Sequence, residues 1–186
     1  MTTIADLLET YQPDGEAETA DVARVRALLE RSPDPYPRSL PLHVTGSALV
    51  VHADSGRVLL RWHPRQQAWL QVGGHGDPGE QDPLAVARRE AAEETGLTDL
   101  VPWPDASLRH AVVCYVRPSA AEPAHEHADL RFFLATANPD AVVPEDEHSP
   151  LRWLSVDEAR HLVGDNNLRY TLDRAEALFP AARPQA

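Results

Sequence analysis

The sequence predicts an α/β fold, a mixed sheet covered by helices, and three observations carry that reading. Short runs rich in Val and Leu alternate along the chain with stretches whose apolar residues recur at helical spacing. A cluster of glycines from Gly73 to Gly79 leads directly into a segment with a start signal and a stop signal for a helix. The 186 residues are 42% hydrophobic, enough for one domain with a true core and a small appendage.

The elements follow in order. Ile4, Leu7, Leu8 and Tyr11 share one face of a short helix closed by Pro13-Asp14-Gly15, and Val22, Val25, Leu28 and Leu29 continue a helical pattern to about Arg31. Ser32-Pro33-Asp34-Pro35-Tyr36-Pro37 forbids regular structure and reads as a linker. Residues 1–40 are therefore expected to be a helical extension that packs on the main domain or makes a subunit contact, with a homodimer as one form of the latter. From Leu42 the pattern changes to strands. Val44–Val51 and Arg57–Trp62 form a hairpin around Asp54-Ser55-Gly56, and Trp69–Val72 delivers the chain to the glycines. Leu108–Val116, Leu130–Ala135 and Leu151–Leu154 read as further strands. Val156–Val163 and Leu168–Phe179 read as helices, the latter with Leu168, Leu172, Ala175 and Phe179 on one side.

The segment from Asp82 to Gly96 carries the chemistry. Asp82 is a helix N-cap, Pro83 suits the first helical position, and Gly96 is a left-handed stop. Leu84, Ala87, Ala91 and Thr95 make a narrow apolar stripe able to lie close against a sheet. Beside it stand Glu90 and Glu94, one turn apart, with Glu93 one place around the cylinder. Like charges at that spacing cost a helix roughly 0.2–0.5 kcal/mol per pair. Either the face is simply solvated, with Arg89 paired to Glu93, or a hard divalent cation uses the carboxylates as oxygen ligands.

The residues around this helix resemble the Nudix box, Gly-x5-Glu-x7-Arg-Glu-U-x-Glu-Glu-x-Gly-U with U a bulky apolar residue. Gly74 and Glu80 are followed by Arg89-Glu90-Ala91-Ala92-Glu93-Glu94-Thr95-Gly96-Leu97. Two departures stand out. Eight residues separate Glu80 from Arg89 where the pattern has seven, and the small Ala91 takes the first U position. Counted back from Arg89, the first two positions fall instead on His75 and Gln81. The insertion leaves the role of Glu80 open. The resemblance implies an α/β/α sandwich, with a Nudix hydrolase domain over residues 41–182. It also implies a hydrolase that cleaves a diphosphate linkage in a small molecule such as a nucleoside diphosphate linked to another group. Glu90 and Glu94 are then the main ligands of Mg²⁺ or Mn²⁺, with Glu93 a further ligand or the group that orients a metal-bound water. Arg89 holds the glutamates by charge-assisted bonds. A further carboxylate from a later loop is a family habit, and Glu145, Asp146 and Glu147 are the candidates.

Arg61 and Trp69 are candidate substrate contacts, for phosphate and for a base, and Arg65 and Trp62 are of the same kind. Gly74 allows close backbone approach. The histidines form a second candidate set. His125 and His127 lie on the same side of an extended chain, just before an apolar strand, while His75 follows Gly74 and His43 opens the first strand. Their layout is similar to the metal-binding histidines of isopentenyl diphosphate isomerase, a relative within the same fold, and imidazole suits a transition metal. The remaining histidines, His52, His63, His110, His148 and His161, have no such company.

Other classes are disfavoured. A formal charge of −12 argues against nucleic acid or an anionic membrane as partner. The single Cys114 excludes an internal disulfide framework, no apolar run approaches membrane-spanning length, and no secretory signal pattern opens the chain, so a cytoplasmic location is expected. An isomerase like the one just named is the alternative enzyme, although Gly73 stands where its loop has a catalytic cysteine. A non-catalytic ligand sensor of the same fold would be favoured by degenerate glutamates, and Glu90, Glu93 and Glu94 are all present.

Overall fold

The computed structural model describes residues 2–118 and 122–179. Its helices are Ile4–Thr10 (α1), Gly15–Arg31 (α2), Pro83–Thr95 (α3), Val156–Leu162 (α4) and Asn166–Glu176 (α5). Its strands are Leu42–His52 (β1), Arg57–His63 (β2), Ala68–Leu70 (β3), Val72–His75 (β4), Val101–Pro102 (β5), His110–Val116 (β6), His125–Ala135 (β7) and Leu151–Ser155 (β8). The fold is α/β with a mixed sheet. The hydrogen-bonded order is β3-β2-β1-β7-β5, with β4 on β1, β6 on β7 and β8 on β2. Strand β1 is buried from His43 to Val51 without alternation, the signature of a strand covered on both faces.

Contacts divide the chain into two compact units. The first comprises residues 1–48, 73–90 and 106–132. Here α1 starts on a capping box, Thr3 accepting from the Asp6 N–H while the Asp6 carboxylate accepts from the Thr3 N–H at 2.9 Å. Helix α2 lies on β6 and satisfies that strand's edge. The Val113 N–H donates to Asp21 at 3.0 Å and the Ala111 N–H to the buried Glu18 at 3.4 Å. An unmet buried N–H costs about 1–3 kcal/mol, so two carboxylates aimed at alternate residues protect the edge and fix the helix over it.

Alternation along β1 and β7 builds a polar file inside the same unit. His43, Thr45 and Ser47 point one way on β1, as do His127, Asp129 and Arg131 on β7. The buried Asp129 accepts from Thr45 Oγ1 at 3.0 Å, from Ser47 Oγ at 2.7 Å and from Arg131 Nε at 2.8 Å. Burial alone would raise the Asp129 carboxyl. The Arg131 guanidinium and the two hydroxyls outweigh it and hold the group below the usual carboxylate range. Helix α3 meets β1 at Gly46, where a Cβ would fall 2.5 Å from the Pro83 carbonyl oxygen and 3.0 Å from the Ala87 nitrogen. Only glycine lets that helix come so close.

The second unit comprises residues 49–72, 91–105 and 133–186. The β1–β2 hairpin pairs Val50 with Leu59, and β8 lies antiparallel on β2 with Leu59 opposite Trp153. Its core gathers Leu49, Val51, Val58, Leu60, Phe133 and Leu154 with residues of α4 and α5 such as Val156, Leu168 and Leu172. Phe179 packs on this cluster although α5 ends at Glu176.

Three expectations need correcting. Trp69–Val72 is not one strand: β3 pairs with β2, placing Trp69 opposite Trp62, and after Gln71 the chain changes partner to β1 as β4. Gly73 and Gly74 are therefore strand residues and the irregular stretch begins after His75. The buried stripe of α3 keeps Ala87, Ala91 and Thr95 as expected but adds Pro83 and Val86 and leaves Leu84 half-buried, because the contact at Gly46 draws in the face carrying Pro83 and Ala87. Strand β7 begins at His125, five residues before the expected start, since Val116 pairs with His125 and draws both histidines into the ladder. The end of the expected main domain, residues 180–182, lies outside the described residues.

Candidate active site and histidine cluster

Helix α3 begins as the cap residues dictate. Asp82 Oδ1 accepts from the Leu84 N–H at 3.0 Å and the Ala85 N–H at 3.4 Å, and at the far end Gly96 adopts φ +69° while its N–H closes on the Ala92 carbonyl at 2.9 Å. The helix carries Glu90 and Glu94 half-buried and Glu93 exposed.

In the first unit Arg89 organises the start of the acidic face. Its Nε and Nη2 donate to both oxygens of Glu80 at 3.1 and 3.0 Å, its Nη1 donates to Glu90 at 3.0 Å, and its Nη2 reaches the His75 carbonyl at 2.8 Å. The Arg89 bond holds the Glu80 carboxyl below its ordinary value, and the Glu80 bond in turn raises the guanidinium's pKa. Glu80 thus meets Arg89 across the inserted residue. The turn Asp77–Glu80 that presents it closes on itself, with the Glu80 N–H on the Asp77 carbonyl at 3.0 Å and the Asp77 N–H on Glu80 Oε2 at 2.7 Å. Arg89 pairs with Glu80 and Glu90 in this geometry. A Cβ on Gly74 would meet the Glu90 carboxylate at 2.5 Å, so a larger residue there would push that carboxylate aside.

In the second unit Arg61, 8% exposed, is the counterpart. It forms an ion pair with Glu94 at 3.1 Å and donates to Glu145 at 3.0 Å, with Asp146 at 3.9 Å. Two of the three acidic-loop candidates thus meet the same cation as Glu94, while Glu147 sits against His148, exposed. Trp69 stands edge-on to Trp62 and under the Arg152 guanidinium, whose carbon is 5.5 Å from the ring centre. The part played by Arg61 as a carboxylate holder was not visible in the sequence, where nothing ties residue 61 to residue 94.

The four histidines of the second set are brought together. The ligand nitrogens of His43, His75, His125 and His127 all lie within 4.8 Å of one another. The Nε2 atoms of His43 and His75 are 3.1 Å apart, as are those of His125 and His127. Burial, then the neighbouring His127, pushes His75 down to about 3, and burial likewise pushes His127 down to about 4. His43, 1% exposed, is lowered by burial too.

The sequence model of the NUDIX domain matches residues 41–175. The chain belongs to the Nudix family. As a Nudix hydrolase it is a pyrophosphohydrolase of phosphorus anhydrides. No curated protein matches it. Among solved structures the Nudix fold recurs in a C. elegans Ap4A hydrolase in binary complex, 21% identical over 72% of this chain and 95% of that one, with a TM-score of 0.58. It recurs again in the E. coli dihydroneopterin triphosphate pyrophosphohydrolase, 21% identical over 73% of this chain and 94% of that one, TM-score 0.54. A third is a Nudix hydrolase from M. smegmatis, 22% identical over 76% and 89%, TM-score 0.53. Among the described residues no helix is long and apolar enough to cross a membrane.

Proposed function

We propose that this Nudix hydrolase cleaves the diphosphate linkage of a small molecule with Mg²⁺ or Mn²⁺ held by Glu90 and Glu94, assisted by Glu93. The observation that carries the reading is the bracing of α3 by two arginines, Arg89 on Glu90 and Arg61 on Glu94. A solvated acidic face has no need of two cations, one of them almost buried. The donor set fits the ion, because Mg²⁺ takes a few carboxylate oxygens and leaves the rest of its shell to water and substrate phosphates. When bound, such an ion supplies charge neutralisation on the phosphate oxygens and an activated water.

The chain's own groups do the remainder. Arg89 and Arg61 hold Glu90 and Glu94 in place, so little reorganisation is left for the reaction itself. Glu93, exposed and one position from Glu94, is the carboxylate placed to orient water or accept its proton. Arg61 Nε is buried and has no hydrogen-bond partner among the described residues, a donor that a phosphate oxygen or a water would satisfy. Trp69 offers an aromatic face for a base beside it. The location that suits a lone thiol and a charge of −12 is the cytoplasm.

A panel of sugar nucleotides, dinucleoside polyphosphates, a pteridine triphosphate and oxidised nucleotides, assayed with Mg²⁺ and with Mn²⁺, tests this. At least one should be cleaved at an anhydride bond, and Glu94→Gln should lower kcat by about 10³-fold or more, the scale of losing an oriented electrostatic group. Equal turnover by Glu94→Gln and wild type would remove Glu94 from the site.

A further inference from the structure

The geometry points to a second metal centre, independent of the acidic helix: a closed four-histidine site on His43, His75, His125 and His127 for one first-row transition-metal dication of the zinc class. The four side chains come from three strands of the first unit, β1, β4 and β7, and their ligand nitrogens fall within 4.8 Å of one another. A tetrahedron of imidazoles bound at about 2.0–2.1 Å has edges of about 3.3–3.4 Å. The two Nε2 pairs at 3.1 Å already match that edge, and the remaining separations need to shorten by no more than about 1.5 Å.

Protonation is settled for half of the set by the backbone. His43 Nδ1 lies 2.9 Å from the Leu40 carbonyl oxygen and His125 Nδ1 lies 2.9 Å from the Pro123 carbonyl oxygen. A carbonyl only accepts, so each Nδ1 carries the proton and each Nε2 turns a bare lone pair into the cluster. This is the arrangement by which a backbone carbonyl orients a metal-binding imidazole and fixes its tautomer. Four bare or nearly bare imidazoles facing one another have no apolar reason to gather. Four nitrogen donors also reject Mg²⁺, which wants oxygen, and favour Zn²⁺, Co²⁺, Ni²⁺ or Cu²⁺. With all four positions supplied by protein the site is of the closed kind that holds structure. What it holds is β4, whose His75 carbonyl accepts from Arg89. The metal thus fixes the backbone from which Arg89 braces Glu80 and Glu90.

The test uses the full chain made without a histidine tag. Elemental analysis should find about one transition-metal ion per chain. After chelation, Zn²⁺ at a hundredfold excess over its Kd should raise the unfolding temperature by about 5–10 °C, and Co²⁺ should give the visible absorption of a tetrahedral complex. His125→Ala and His127→Ala should each weaken Zn²⁺ binding by more than the 10–100-fold that losing a supporting partner costs. Wild-type protein that shows neither a Zn²⁺-dependent rise nor a Co²⁺ band overturns the site, whether or not the variants fold. Equal Zn²⁺ affinity in wild type and in His127→Ala overturns it as well. Neither result touches the hydrolase reading, which stands or falls on Glu94→Gln.

Discussion

Arg89 and Arg61 each brace one carboxylate of the same helix, and they do it by different means. Arg89, in the first unit, spends its donors on Glu80, on Glu90 and on the backbone of β4, partners all fixed by a capped helix, a closed turn and a strand. Arg61, in the second unit, is more deeply buried, with a side chain 10% exposed against 24% for Arg89, yet two of its three carboxylate neighbours are about half-exposed loop residues. The first brace is saturated by rigid neighbours. The second divides a buried cation between a buried carboxylate and a loop that solvent can reach. A fixed brace serves position, whereas a divided one can release a partner when an anion arrives.

The depth of Arg61 makes it the more costly to remove. Taking one partner from a buried pair leaves the other charged and unmatched, at about 3–5 kcal/mol. Arg61→Ala is therefore expected to lower the free energy of unfolding by about 3 kcal/mol, read from the shift of the urea midpoint at constant m. A loss under about 0.5 kcal/mol would mean that Glu94 does not depend on Arg61 and that the two braces are equivalent surface pairs.

Arg89→Ala should cost less in stability, about 1–2 kcal/mol, because its charge-assisted bonds are strong but a quarter exposed and so partly screened. Its effect on turnover should be larger than that cost suggests, about 10²-fold in kcat, since an ångström of drift at Glu90 is enough. Glu80→Gln separates the two contributions: it keeps the size of the side chain and one acceptor, and should reproduce no more than about a tenth of the Arg89→Ala loss in kcat. If Glu80→Gln equals Arg89→Ala, Glu80 acts on the reaction directly and not through the arginine.

How much of this was legible in the sequence follows from the range over which each signal acts. The cap at Asp82, the stop at Gly96 and the one-turn spacing of Glu90 and Glu94 are local, and the structure keeps all of them. The stripe on α3 was right at Ala87, Ala91 and Thr95 and missed only at its start, where Gly46, thirty-seven residues before Pro83, draws in Pro83 and Val86 and leaves Leu84 half-buried. The division of Trp69–Val72 into β3 and β4 is a change of strand partner, invisible to a pattern that records only which residues are apolar. Glu80 was left open by an inserted residue, because spacing alone does not say that Arg89 still reaches it. Arg61 reaches Glu94 across thirty-three positions with no motif to announce it. The histidine set was readable because period-two alternation in β7 aligns His125 with His127. His43 and His75 joined it through the resemblance, and the convergence of all four ligand nitrogens, with two ring protons held by the backbone, required the fold.

The smallest expected effect is the most discriminating between the two braces. Glu145→Gln keeps shape and removes the charge from a carboxylate that is 54% exposed, so its bond to Arg61 should be worth less than about 1 kcal/mol and the urea midpoint should barely move. If Glu145 only occupies Arg61 between turnovers, the neutral side chain yields to substrate at least as easily, and kcat should fall by less than about threefold, under 1 kcal/mol. Stability unchanged together with a loss of turnover rivalling Glu94→Gln would give another answer. The loop carboxylate would then belong with Glu90 and Glu94 among the oxygen donors, and Arg61 would be the cation that delivers it.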